Sequence, residues 1–288
     1  MGYDLDQRVI ELYDNFTHGV IDRRTFLDRL TGIAGSSAAA LAMLPLLQND
    51  YARAAMVPDD DARLAIDTVT YDGAGTPIKG YLARLKDKAK RPAVIVIHEN
   101  RGLNPHIKDI ARRIALEGFL TLAVDMLSPL GGTPADEDKG RDMIATLKPD
   151  ETAQRIAAAV PYLEKHPEST GKVGAVGFCW GGSMVNRIAV LSPDLKAAVA
   201  YYGAQPPAAE VPSIHSALLL HYAGLDKRIG AGIAAYEAAL KAAHKQFTIY
   251  IYPNVNHAFN NDTSSRYDKL AADLAWGRTI AFLHQHLG

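Results

Sequence analysis

Gly177-Phe178-Cys179-Trp180-Gly181-Gly182 is the stretch of this sequence best suited to chemistry. A strand-like run, Gly171 to Gly177, precedes it, and a helical pattern, Gly181 to Leu191, follows. A nucleophile set between a strand and a helix sits on a sharp, strained turn that presents its side chain at the strand's end. Side chains two residues before or after it would collide with the strand or the helix, which accounts for Gly177 and Gly181. A helix that begins at Trp180 aims its N-terminal N–H groups and dipole at the sulfur. That arrangement lowers a thiol pKa and steadies a developing oxyanion. The Trp180 backbone N–H is then one oxyanion donor.

A thiol nucleophile needs a base and an acid that orients the base. Leu218 to Ala223 reads as a strand, and Gly224-Leu225-Asp226 follows it. Phe247 to Tyr252 reads as the next strand, and Pro253-Asn254-Val255-Asn256-His257 follows that. His257 is expected to take the Cys179 proton or hold it as an ion pair, with Asp226 orienting the imidazole. A third loop, His98-Glu99-Asn100-Arg101-Gly102-Leu103-Asn104, follows the strand Pro92 to His98. It offers the Asn100 backbone N–H as the second oxyanion donor and Glu99 as a carboxylate within reach of the thiol. Each residue alone has a plainer reading. A lone Cys is usually a small buried hydrophobe, an Asp after a strand a turn or cap residue, and a loop His a surface residue. Three such residues in chain order after three strands argue for the catalytic reading. His98-Glu99 lacks the second histidine of a zinc motif, and there is no phosphate loop or dinucleotide fingerprint, so neither metal nor cofactor is expected.

The elements that must hold these residues alternate strand and helix. Ala65 to Tyr71 and Ile78 to Leu85 flank a Gly-rich turn and predict a hairpin at an antiparallel edge. Pro92 to His98 and Phe119 to Val124 are short buried strands around a helix over Pro105 to Glu117. One helix is expected over Glu151 to Glu164, capped near Asp150, and another from about Ala231 to Ala243. Ala197 to Tyr202 adds a strand, and Tyr267 to Leu287 a long last helix. The implied class is α/β, with a mostly parallel central sheet, helices on both faces and an N-terminal helical extension.

Residues 1–58 differ in character from residues 59–288, the expected catalytic domain. Tyr13, Phe16, Ile21, Phe26, Leu27 and Leu30 recur at roughly helical spacing, and Leu30 to Leu47 carries no charge. Asp22-Arg23-Arg24-Thr25-Phe26-Leu27 resembles a twin-arginine export signal, and Ala52-Arg53-Ala54 would serve for cleavage. The alternative is a helical arm retained on a cytoplasmic protein, packed on the body or mediating a homodimer. The run is too short and alanine-rich for stable membrane insertion. Over 288 residues, 48% are apolar, 22% charged, and the formal net charge is -1, which gives no basic excess for nucleic acid. A single cysteine excludes an intrachain disulfide and a cysteine zinc cluster.

From about residue 65 onward the chain resembles the dienelactone hydrolase (carboxymethylenebutenolidase-like) family of α/β-hydrolases. HENRGLN at 98–104, GKVGAVGFCWGG at 171–182, YYG at 201–203, LLLHYAGLD at 218–226 and YPNVNHAF at 252–259 carry the resemblance. It implies a lactone or ester hydrolase without a cofactor, working through Cys179, His257 and Asp226 and an acyl-enzyme. It also implies that Glu99 contacts the resting thiol. Family members acting on dienelactone carry an arginine after the triad histidine; here that position is Asn261, an amide without the charged fork of arginine. Asn261 and, in its place, Arg101 are the candidate substrate-binding residues. A carboxylesterase or thioesterase on acyclic esters shares the same residues. A non-catalytic scaffold would predict a broken triad, and a redox-sensing protein a resolving cysteine that this chain lacks.

Overall fold

The computed structural model describes residues 5–51 and 56–288. The expected cleavage site at 52–54 lies outside the described residues. β1 (Leu64–Asp72) and β2 (Pro77–Leu85) form the hairpin. β3 (Arg91–Ile97), β4 (Leu120–Asp125), β5 (Ser169–Phe178), β6 (Ala197–Tyr201), β7 (Ala217–Ala223) and β8 (Phe247–Tyr252) complete one sheet of 8 strands. The order is β1-β2-β4-β3-β5-β6-β7-β8. β2 pairs antiparallel with β1 and β4, and every other pair is parallel.

Successive side chains of a strand point to opposite faces, so a sheet covered on both sides needs apolar residues throughout. β3 obeys this. Ala93, Ile95 and Ile97 enter one core cluster, and Val94 and Val96 the other. The first cluster is closed by α6 (Pro149–Ala157), α7 (Ala159–Glu164), α8 (Trp180–Leu191) and α10 (Ile233–Ala242). The second is closed by α4 (Pro105–Leu116) and α11 (Lys269–Leu287). Each fully buried Ile, Leu or Val in these clusters contributes about 1.5–3 kcal/mol.

One expected helix is two. α6 and α7 break at Ala158 because Pro161 has no N–H to donate back to Ala157. Lys148, not Asp150, occupies the N-cap, since Pro149 takes the first helical position and moves Asp150 into the first turn. Two helices without a signal in the sequence pattern appear: α5 (Glu137–Ala145) and the single turn α9 (Lys227–Gly230).

The N-terminal region folds as α1 (Gln7–Thr17), α2 (Arg23–Ala34) and α3 (Ser37–Leu47). Val9, Leu12, Tyr13 and Phe16 fall at i, i+3, i+4 and i+7 on α1 and join Phe26 and Leu30 of α2 in a small apolar cluster. The charge-free run from Leu30 to Leu47 breaks where Gly35 takes φ 80° and Ser36 caps α3 through the Ala39 N–H. Among the described residues no single helix is long and apolar enough to cross a membrane; α2 and α3 qualify only together, bent by 111°.

These helices dock on the loops at the carboxyl ends of the strands. Arg101 Nη2 donates to Tyr13 Oη at 3.0 Å, and Arg266 Nη1 to Asp14 Oδ1 at 2.9 Å. Asn100 Nδ2 donates to the Thr17 carbonyl at 2.8 Å, and Gln7 Nε2 to Asn256 Oδ1 at 2.7 Å. The Arg141 guanidinium of α5 lies 4.5 Å from the Phe16 ring centre. The arm therefore sits above the edge of the sheet where an open α/β fold places its site.

Candidate active site

The strand-to-helix turn places Cys179 at φ 56° and ψ -115°, a region that costs a residue other than glycine about 1–3 kcal/mol. The turn is over-determined by its neighbours. A Cβ on Gly181 would lie 2.5 Å from the His98 main-chain oxygen, and one on Gly182 2.5 Å from that of Tyr201. Glycine at these positions lets β5 and α8 pass close to β3 and β6. Gly181→Ala is expected to cost about 3 kcal/mol and to lower Tm by roughly 5–10 °C. A thermal scan checks this, and coincident melting curves would mean the turn relaxes without cost.

The Asp226 and His257 loops are stapled together by main-chain bonds. Gly224 N–H donates to the Tyr252 carbonyl at 2.8 Å, and Leu225 N–H to the Val255 carbonyl at 3.0 Å. Asp226 Oδ2 lies 2.6 Å from His257 Nδ1, while Oδ1 caps α9 by accepting from Ile229 N–H at 3.0 Å. The cap reading and the orienting reading of Asp226 describe the same carboxylate. Burial alone would raise its pKa, but the His257 hydrogen bond and charge hold it below the ordinary range. His257 Nε2 is buried and has no hydrogen-bond partner among the described residues.

The sulfur's hydrogen-bond partner among the described residues is a residue the sequence pattern did not mark. His18, which caps the C-terminus of α1, places Nε2 3.3 Å from Cys179 Sγ. Its ring meets the His257 ring edge-on, with centroids 4.7 Å apart. Sγ and one nitrogen from each of these rings lie within 4.8 Å of one another. This convergence can pass a proton between sulfur and imidazole.

One expected placement needs correction, and two more residues take other partners. Glu99 does not hydrogen-bond the thiol; Oε2 accepts from Asn261 Nδ2 at 2.8 Å and Oε1 from Tyr202 Oη at 3.5 Å. His18 occupies the place at the sulfur instead. Asn261 is buried, giving one amide N–H to Glu99 and accepting from the Thr263 N–H at 3.0 Å and hydroxyl at 2.6 Å. Arg101 is 6% exposed and bound to Glu137 Oε2 at 3.0 Å and to Tyr13 Oη, so it ties the arm to the body. Trp180 and Asn100 do line the cavity of about 410 Å³ that opens on Cys179 and His257. His98 is fully buried, stacked on Trp180 at 5.2 Å, and burial depresses its pKa.

Asp14, His18 and Arg228 are site residues that sequence reasoning missed. Arg228 lines the cavity mouth, 3.9 Å from Asp14. A histidine closing a helix far upstream gives no local signal of this placement.

The comparisons agree with this architecture. The profile of the dienelactone hydrolase family matches residues 78–287, and a YqhI-like profile matches residues 3–35. A protein of Escherichia coli (strain K12), described as a candidate carboxymethylenebutenolidase, is 30% identical over 247 residues, covering 80% of this chain and 90% of its own. A Bradyrhizobium sp protein, described as a candidate 2-oxo-3-(5-oxofuran-2-ylidene)propanoate lactonase, is 29% identical over 78% of this chain and 96% of its own. The crystal structure of a candidate dienelactone hydrolase from Klebsiella pneumoniae superposes with a TM-score of 0.70 at 26% identity, over 77% of this chain and 99% of that one. The chain belongs to the dienelactone hydrolase family of the α/β-hydrolases and is a carboxylic ester (lactone) hydrolase.

Proposed function

We propose that the protein opens a lactone or cleaves an ester through a thioester on Cys179, with His257 as base and Asp226 as its orienting acid. The observation that carries the reading is the thiol on a strained turn, beside a carboxylate-backed imidazole, at the floor of a cavity. The thiol gives its proton to an imidazole, and the thiolate attacks the carbonyl carbon. The Trp180 and Asn100 N–H groups are the oxyanion donors in this reading. Collapse expels the alkoxide, which in a lactone stays tethered to the acyl group. Water then attacks the thioester, losing a proton to His257 Nε2, which Asp226 holds in the tautomer with its lone pair inward.

The substrate class follows from the cavity walls. Ile144, Leu147, Trp180 and Ile229 supply apolar surface; Arg141 and Arg228 line the same cavity with their charges offset by Asp138, Asp142 and Asp14, and Asn261 and Arg101 have other partners. Neutral lactones and short esters suit this site better than a dienelactone carboxylate. The expected rank in a panel is simple γ- and δ-lactones and p-nitrophenyl acetate above dienelactone. Acid-quenched samples with p-nitrophenyl acetate should show an acetyl mass on the Cys179 peptide. Sustained turnover with no acyl mass, even in single-turnover samples, would overturn the covalent route.

A further inference from the structure

We propose that His18, brought in by the N-terminal arm and positioned by Asp14, is the residue that takes the Cys179 proton, which makes the arm part of the working active site. The inference deepens the proposed function and rests on Cys179 being the nucleophile.

The hydrogen bonds fix the tautomer. His18 Nδ1 lies 2.8 Å from the Asp14 main-chain carbonyl, which can only accept. Nδ1 therefore carries the hydrogen, and the neutral ring turns the lone pair of Nε2 toward Sγ, 3.3 Å away. The Asp14 carboxylate lies 3.3 Å from the same Nδ1 and steadies the charge when Nε2 is protonated. His257 Nε2, by contrast, is buried and has no hydrogen-bond partner among the described residues, which leaves it free to serve the later step. Two imidazoles, each backed by an aspartate, thus serve two steps.

The proton balance closes. The Cys179 S–H bond breaks, its electron pair stays on sulfur, and the proton binds His18 Nε2. The thiolate attacks, the tetrahedral intermediate loses the alkoxide oxygen, and that oxygen takes the proton from His18. Water attacks the thioester while His257 takes its proton and returns it to the departing sulfur.

The charged surroundings favour this assignment. Asp14 on His18's own helix, Cys179 on the turn and His257 after β8 face the His18 ring. Arg266 at 2.9 Å and Arg228 at 3.9 Å reach Asp14 from the body, and Arg141 of α5 lines the same cavity. Burial alone would lower the His18 pKa; the sulfur's charge and the Asp14 hydrogen bond outweigh it, and the net direction is up. Asp14 is driven well below the ordinary carboxylate range, because His257, His18 and Arg266 outweigh its burial. The docking bonds of the arm, from Arg101, Arg266, Asn100 and Asn256, all hold this geometry. Residues 1–58 are then a retained arm, and residues 59–288 the hydrolase domain it completes.

The test is the pH dependence of Cys179 alkylation by iodoacetamide in the full-length chain, compared with His18→Ala and His18→Gln after thermal melts show each folded. Wild type should be alkylated faster than either variant across the neutral range, because His18 Nε2 accepts the sulfur's hydrogen. In both variants the alkylation rate at pH 7 should fall by about tenfold. kcat/KM for p-nitrophenyl acetate at pH 7 should fall about a hundredfold, with added imidazole restoring part of it in the alanine variant. Unchanged alkylation profiles, or a glutamine variant that keeps the wild-type profile, would overturn the proposal. So would a rise in kcat/KM, which would make His18 a plug. Alkylation reads the His18–Cys179 pair without turnover, so it stands apart from the covalent reading. Loss of activity in Cys179→Ala with unaltered His18 variants would remove this inference alone.

Discussion

Cys179→Ala is expected to lower kcat/KM for every active ester and lactone by about 10⁴-fold or more. The alanine keeps the turn, the oxyanion donors and the Asp226–His257 pair, so only the covalent route is lost. Folding should change little, because a small side chain of 7% exposure is replaced by one slightly smaller. Cys179→Ser separates two explanations. A hydroxyl is far harder to deprotonate than a thiol, so the serine variant should recover only a small part of the rate unless an imidazole base compensates. Initial rates with p-nitrophenyl acetate over pH 5 to 9 provide the measurement. An alanine variant within about tenfold of wild type would mean that water attacks directly under general-base catalysis, a step worth about 10²–10⁴ on its own.

The sheet was legible because burial on both faces leaves a plain signature. β3 has to be apolar from Ala93 to Ile97 to fill two cores, and PAVIVI says so without any neighbour in view. Strand-to-helix turns were legible for a related reason: Gly181 is required by a clash with main-chain atoms of β3 and its loop, which no side-chain adjustment relieves. The break between α6 and α7 hides in periodicity, since a missing Pro161 N–H does not disturb the apolar spacing.

Within the site, chain order located Cys179, Asp226 and His257, but not the partners of polar groups. Arg101 and Asn261 stand at strand ends where a substrate contact is plausible chemistry. What they bond is Glu137 and Tyr13 in one case, Glu99 and Thr263 in the other. Those pairings are tertiary facts. His18 is the extreme instance, meeting a cysteine 161 residues away through a helix that carries no catalytic motif. Paired arginines before an apolar run have more than one use, an export signal or a docked arm. Here Arg23 bonds Asp138 at 2.9 Å, and the apolar residues close on one another.

Asp226→Asn is expected to lower kcat by about 10³–10⁴-fold, with KM falling alongside it and the fold little changed. The 2.6 Å bond to His257 Nδ1 needs an acceptor, and that acceptor keeps the Nε2 lone pair directed into the cavity. An asparagine there can turn its N–H₂ toward Nδ1. The ring then carries its hydrogen on Nε2 and cannot take a proton from water. The helix cap on α9 survives, because an asparagine oxygen can still accept from Ile229 N–H, so stability should fall by about 1 kcal/mol at most. The two imidazoles make the position of the block informative. If His18 serves acylation and His257 serves water, Asp226→Asn should slow deacylation and let the acetyl thioester accumulate on Cys179. His18→Ala should slow acylation and leave no thioester to detect. Acid-quench mass spectrometry of the two variants with p-nitrophenyl acetate distinguishes the steps. An Asp226→Asn enzyme that neither accumulates the thioester nor shows a p-nitrophenolate burst would assign His257 to acylation as well, and the division of labour between the two dyads would fall.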